Sequence, residues 1–157
     1  MRSYTYYAGV GGYHAVGDLA MAKNALGHAT TLERYTPEGK PLQVTDANGV
    51  LTTYTYDARQ RLLSSTTAGQ TTSYGYDAAG QLLKVTQPDG SWVGYEYDAA
   101  HRQTAAFDNQ GNRIEYTLDN LGNRTAQNTK DPSGNLARAV TRSIDALGRI
   151  QQTTGRE

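Results

Sequence analysis

One four-residue phrase governs this chain. Tyr54-Thr55-Tyr56-Asp57 returns as Tyr74-Gly75-Tyr76-Asp77, Tyr95-Glu96-Tyr97-Asp98 and Tyr116-Thr117-Leu118-Asp119. Arg142-Ser143-Ile144-Asp145 is a degraded copy, and Glu33-Arg34-Tyr35-Thr36 fits the same frame upstream. The anchors fall at 36, 57, 77, 98, 119 and 145, in steps of 21, 20, 21, 21 and 26. A fixed period of this length marks a repeat architecture, in which each copy is one small unit that buries its surface only by lying against the next.

Each anchor opens a turn. Thr36 leads to Gly39, Asp57 to Gln60, Asp77 to Gly80, Asp98 to His101, Asp119 to Gly122 and Asp145 to Gly148. Asp at the first position accepts hydrogen bonds from the turn's own N–H groups, and Gly at the fourth takes positive φ without a Cβ clash, which is the chemistry of a type I turn followed by a bulge. Gln60 and His101 break the rule, so their turns must hold a strained residue or use another geometry. Halfway between the anchors lies a second series, 24–27, 46–49, 66–69, 87–90, 108–111 and 131–134, each ending in Gly, with Gly90, Gly111 and Gly134 in its later members. Twelve turns between 24 and 148 leave six or seven residues per intervening segment, the spacing of strands rather than helices.

Those segments alternate with period two. One face carries Val50, Thr52, Tyr54 and Tyr56, then Thr72, Tyr74 and Tyr76, then Val93, Tyr95 and Tyr97, then Ile114, Tyr116 and Leu118. The opposite face carries Leu51, Thr53 and Thr55, then Thr71, Ser73 and Gly75, then Trp92, Gly94 and Glu96, then Arg113, Glu115 and Thr117. An aromatic side and a mostly polar side are expected of an antiparallel sheet with one better-covered face. Tyr54, Tyr74, Tyr95 and Tyr116 share one repeat position, and Tyr56, Tyr76 and Tyr97 another, so they are expected to form a ladder of rings across the sheet. Leu62-Leu63 and Leu82-Leu83-Lys84-Val85 are apolar on both faces, which puts the best packing in the middle of the chain.

Composition sets the thickness. Of 157 residues only 24 are Leu, Ile, Val or Phe, while there are 12 Tyr, 20 Thr and 17 Gly, and 15 Lys+Arg balance 15 Asp+Glu. So few large aliphatics at zero net charge suit a thin, sheet-dominated structure rather than a thick two-layer core. Charge balance argues against a nucleic-acid module. No run approaches the 18 apolar residues of a membrane helix, and the N-terminus lacks the apolar core of a secretory signal. The absence of cysteine removes disulfides, thiolate metal sites and cysteine nucleophiles.

The stretch Tyr74 to Gly90, reading Tyr-x-Tyr-Asp-Ala-Ala-Gly-Gln-Leu-x-x-x-Thr-x-Pro-Asp-Gly, closely resembles the YD repeat of the Rhs (rearrangement hot spot) family, and the match runs from residue 30 to 157. The resemblance implies an all-β fold: antiparallel β-hairpin repeats forming a curved, spiralling single sheet, a sector of a hollow shell. It also implies a setting. In bacterial Rhs proteins and the similar C components of insecticidal toxin complexes that shell encloses a C-terminal toxin, and teneurins carry a related barrel at animal cell surfaces. Family members that free their cargo end the repeats in Asp-Pro-x-Gly-Leu. Asp131-Pro132-Ser133-Gly134-Asn135 has Asn where that motif wants Leu and sits on the regular turn frame, so it reads as a turn.

Residues 1–23 are expected to be an irregular or short-strand leading segment and 24–157 the YD-repeat sheet. Catalytic chemistry finds no constellation. His14, His28 and His101 have no second ligand at metal spacing, the repeated aspartates are accounted for by turns, and Gly9-Val10-Gly11-Gly12 lacks the Lys-Ser/Thr of a phosphate loop and reads as a flexible lead-in. No enzyme activity, metal or cofactor is expected. Two functions remain: a non-catalytic wall section of a toxin-enclosing shell in a secreted or cell-surface bacterial protein, or a carbohydrate-binding module using exposed tyrosines and Trp92. The chain ends where another half-repeat turn is due, so its expected partners are further YD repeats or a toxin domain of a longer protein, with self-association through open sheet edges.

Overall fold

The computed structural model describes residues 1–155; Arg156 and Glu157, the end of the expected YD region, lie outside the described residues. Fourteen strands form one open antiparallel sheet in which neighbours in the chain are neighbours in the sheet. They are β1 Ser3–Tyr6, β2 Leu19–Lys23, β3 Ala29–Tyr35, β4 Pro41–Thr45, β5 Leu51–Tyr56, β6 Leu62–Thr67 and β7 Gln70–Tyr76. Then follow β8 Leu82–Thr86, β9 Trp92–Tyr97, β10 Gln103–Asp108, β11 Arg113–Leu118, β12 Arg124–Lys130, β13 Leu136–Ile144 and β14 Ile150–Gly155. The turn count alone yields twelve to thirteen strands; β1 and β2 lie in the leading segment 1–23. Contacts group the chain into two compact units, 1–73 and 74–157.

Each anchor turn closes in the same way. At 57–61, Gln60 N–H donates to the Asp57 carbonyl (2.9 Å) and Asp57 N–H to that of Arg61 (3.0 Å). Gly39, Gly80, Gly122 and Gly148 have φ of 83°, 98°, 88° and 77°. Gln60 and His101 adopt the same left-handed conformation at 63°, so the turn geometry overrides their side chains and the strain is accepted. The turn at 66–69 differs. Ala68 (49°) and Gly69 (79°) are both left-handed, and Thr67 pairs directly with Gln70, which is a two-residue type I′ hairpin.

The sheet is thin. Only Tyr35, Ala105 and Val140 are buried apolar residues among those described. Two of the three lie outside the middle of the chain, so packing is not concentrated there as the double-leucine strands suggest. Leu63 and Leu83 remain about two-fifths exposed, because a strand with apolar groups on both faces can cover only one of them in a single layer. The lead-in around Gly9–Gly12 is also not a loose tail. Gly11 and His14 form a bridge, the His14 ring stacks on Tyr7 at 3.6 Å, and Tyr35 N–H donates to the Tyr13 carbonyl (2.7 Å). A Cβ on Gly11 would meet the His14 ring, so this glycine permits close approach rather than flexibility.

Candidate functional site

The first functional surface is the row of anchor turns. In the five led by Asp, one carboxylate oxygen gathers two backbone N–H groups, while Thr36 Oγ1 accepts from Lys40 N–H at 3.2 Å. Asp57 Oδ1 accepts from Arg59 and Arg61 N–H at 2.9 Å each, while Oδ2 accepts from Arg61 Nε at 2.7 Å. Asp98 does this with Ala100 and Arg102, and Asp145 with Leu147 and Arg149. Asp119 substitutes an amide, taking Asn123 Nδ2 at 2.9 Å; Asp108 and Asp131 in the halfway series use Asn112 and Asn135. Asp77 accepts from Gly80 and Gln81 N–H. The Arg or Asn four residues after the Asp is a partner that turn reasoning missed, although the spacing Asp-x-x-x-Arg/Asn stands in the sequence.

These bonds hold six of the carboxyls, those of Asp57, Asp98, Asp108, Asp119, Asp131 and Asp145, below their ordinary range. For Asp57, Asp98, Asp131 and Asp145 the largest cause is the backbone N–H four residues on; for Asp108 and Asp119 it is the asparagine side chain. Carboxylates engaged in this way are turn locks, with little left to offer a metal or a substrate, and no cluster of metal-binding side chains occurs among the described residues. Successive turns also touch. Gln60 Nε2 donates to Glu38 (2.9 Å), Lys40 Nζ to the Gln60 carbonyl (2.6 Å), and Arg102 Nη1 to the Asp119 carbonyl (2.8 Å). His101 Nδ1 bonds Gln81 Oε1 at 2.9 Å. The two non-glycine turn residues thus tether their turn to the one before.

The second surface is the tyrosine face. Tyr56, one residue before its turn, donates its hydroxyl to the Pro41 carbonyl (3.0 Å) and Tyr97 to that of Leu82 (2.9 Å). Pro41 and Leu82 each begin the preceding return strand, so the phenol closes that strand's open end. Tyr35, at the same frame position, reaches the Leu19 carbonyl and is only 8% exposed. Burial pushes the phenols of Tyr35, Tyr56 and Tyr97 up. The Tyr95 and Tyr116 rings are not direct neighbours in the expected ladder. Tyr95 and Tyr116 lie on strands separated by β10, about 10 Å apart, and level with Tyr95 across Ala106 stands Ile114. Arg124 lies over the Tyr116 ring at 3.9 Å and Lys40 over Tyr56 at 5.4 Å. Tyr54 and Tyr74 are half-buried on this face, as is Tyr76.

The opposite face divides. In unit 1 it is a hydroxyl ladder, with Thr55 to Ser64 at 2.6 Å and Thr66 to Thr71 at 2.8 Å. In unit 2 it carries aromatics and ion pairs. Trp92 meets Phe107 edge to face at 5.7 Å, and Lys84 Nζ sits 4.4 Å above the indole. Arg113 reaches across β10 to Glu96 and also binds Glu115, which takes Lys130 at 2.7 Å. The indole is half-buried, with the Lys84 ammonium over its ring.

The RHS Repeat family matches residues 35–69, 61–91 and 97–136, more than half of the chain. The chain belongs to the RHS repeat family. This RHS-repeat chain is 34% identical over 130 residues to double-stranded DNA deaminase toxin A of Burkholderia cenocepacia (strain H111), covering 82% of the chain and 9% of that relative. The crystal structure of TcdB2-TccC3-Cdc42 matches it with a TM-score of 0.83 at 17% identity, over 98% of this chain and 9% of that one. TcdB2-TccC3 without its hypervariable C-terminal region matches at 0.77 and 19%, over 89% and 8%. At these identities the structural likeness is one of fold. The RHS-repeat chain spans about a tenth of the length of these relatives.

Proposed function

We propose that this chain is a non-catalytic section of the wall of a toxin-enclosing RHS shell, in a secreted or cell-surface bacterial protein used in competition between bacteria. The observation that carries the reading is the sheet itself. Fourteen strands in chain order, closed at five of the six anchors by an engaged turn carboxylate, make a surface that extends by adding hairpins and gathers no metal-binding cluster among the described residues. The setting supports it: one relative is named as a DNA deaminase toxin and another is known with and without a hypervariable C-terminal region. The first and last strands would then pair with further repeats, and the enclosed domain would supply the activity. A glycan-binding reading rests on Trp92, whose indole is already engaged by Lys84 and Phe107.

The test deletes residues 1–157 from the longer protein that carries them and follows protease resistance of whatever lies C-terminal to the repeats. The wall reading expects that domain to become sensitive while keeping its own activity. Equal protection with and without the repeats overturns it. Purified chain incubated with double-stranded DNA is expected to leave every base intact, and deamination by these residues alone would contradict a scaffold role.

A further inference from the structure

The tyrosine face of β11–β13 is cationic. It presents Ile114, Tyr116 and Leu118, then Arg124, Gln127 and Thr129, then Arg138, Val140, Arg142 and Ile144. Three of these are arginines and none is acidic. The nearest turn carboxylates are already occupied, Asp119 by Asn123 and Asp145 by Arg149. On the opposite face Arg113 and Lys130 are matched to Glu115 and, from β9, Glu96. Arg124 and Arg142, neither of them in an ion pair among the described residues, leave this face with positive charge that an anionic partner would match.

The geometry gives that partner a place. A depression of about 340 Å³ is lined by Arg124, Arg142 and Gln127, with Ile144 and Ile150 supplying an apolar floor. Ile144 pairs with Ile150 across β13 and β14, which fixes the floor. Arg124 is held by its stack on Tyr116 at 3.9 Å; stacking uses the guanidinium's face and leaves its N–H edge available for a bidentate acceptor. Arg142 is half-buried and shares the cavity.

We propose that this depression binds a carboxylate side chain on an acidic peptide segment, gripped by Arg124 and Arg142 while an apolar neighbour of that carboxylate rests on Ile144 and Ile150. Two guanidiniums match a planar carboxylate through paired N–H···O bonds, and the isoleucines select a peptide over a bare ion. The inference rests on this local geometry and is independent of the shell reading.

Calorimetric titration of the whole chain tests it, using a capped peptide with two glutamates beside an isoleucine and its glutamine counterpart. The glutamate peptide is expected to bind at least about tenfold more tightly. Arg142→Gln should remove that preference, Arg142→Lys should keep part of it, and Arg2→Gln should leave it intact. Arg124→Gln, at an exposed position where the fold is not at stake, should weaken it too, and the Nε–H resonances of Arg124 and Arg142 should shift on titration. Equal affinity for the two peptides, no binding of either, a preference that survives Arg142→Gln, or stronger capture of inorganic phosphate or a uronic acid than of the peptide would overturn the proposal.

Discussion

Single residues in this protein are chosen by turns before anything else. Ala68 sits at φ 49° in a two-residue hairpin, where alanine is strained, Gly is free of strain because it has no Cβ, and Asn is favoured because its side chain bonds the local backbone. Ala68→Asn is therefore expected to stabilise by about 0.5–1 kcal/mol, read as a higher urea midpoint; an unchanged or lower midpoint would show that the turn is not strained. The turn carboxylates give a second residue-scale expectation. The folded values of Asp57, Asp98, Asp108, Asp119, Asp131 and Asp145 lie below the ordinary one. Their stabilisation is therefore complete above the unfolded range near about pH 4 and is lost as pH falls through the lower folded values. Urea midpoints should drop steeply on acidification below about pH 4, and less steeply in Asp98→Asn, which keeps the acceptor oxygen but removes the ion pair with Arg102. A midpoint flat across that range would contradict the turn-lock account.

At the scale of elements, β9 and β10 are fitted to each other by an absence. Gly94 pairs with Phe107, and a Cβ built at Gly94 would lie 2.6 Å from Phe107 Cζ. The ring lies over the glycine and meets Trp92 at its edge. Gly94→Ala is expected to cost about 1–3 kcal/mol through overpacking, and much of that should vanish in a Phe107→Ala background. A double-mutant cycle checks it: additive effects would mean that the ring moves aside at no cost. The Tyr, Asp and Gly of the repeat are legible in sequence because each answers to a local rule. Phe107 over Gly94, and Arg113 reaching across β10, are not, because strand register brings them together and register is a property of pairs.

The whole molecule is held by neighbours rather than by a centre. Strands pair in chain order, and only Tyr35, Ala105 and Val140 are buried apolar residues among those described. Stability in such an array is a sum of local terms. Val140→Ala, which removes buried methyl groups at a 2% exposed site, should cost about 1–2 kcal/mol and speed hydrogen exchange in β12–β14 while leaving β3 and β4 nearly unchanged. Uniform acceleration through all strands would instead show one cooperative core.

The sequence by itself determined the period, the turns, the all-β class and the alternation of faces, because Asp and Gly at turns and Tyr and Thr on strands obey rules that act within a few residues. Tertiary structure decided what those faces do. Tyr56 and Tyr97 spend their hydroxyls on the ends of return strands, Lys84 lies over Trp92, Gly11 admits the His14 ring, and the arginines of β12 and β13 gather on the tyrosine face. Each of these follows from which strands and loops lie against one another, at separations from a few residues to the 15 positions between Tyr56 and Pro41 or Tyr97 and Leu82, and turn and alternation rules do not specify those partners.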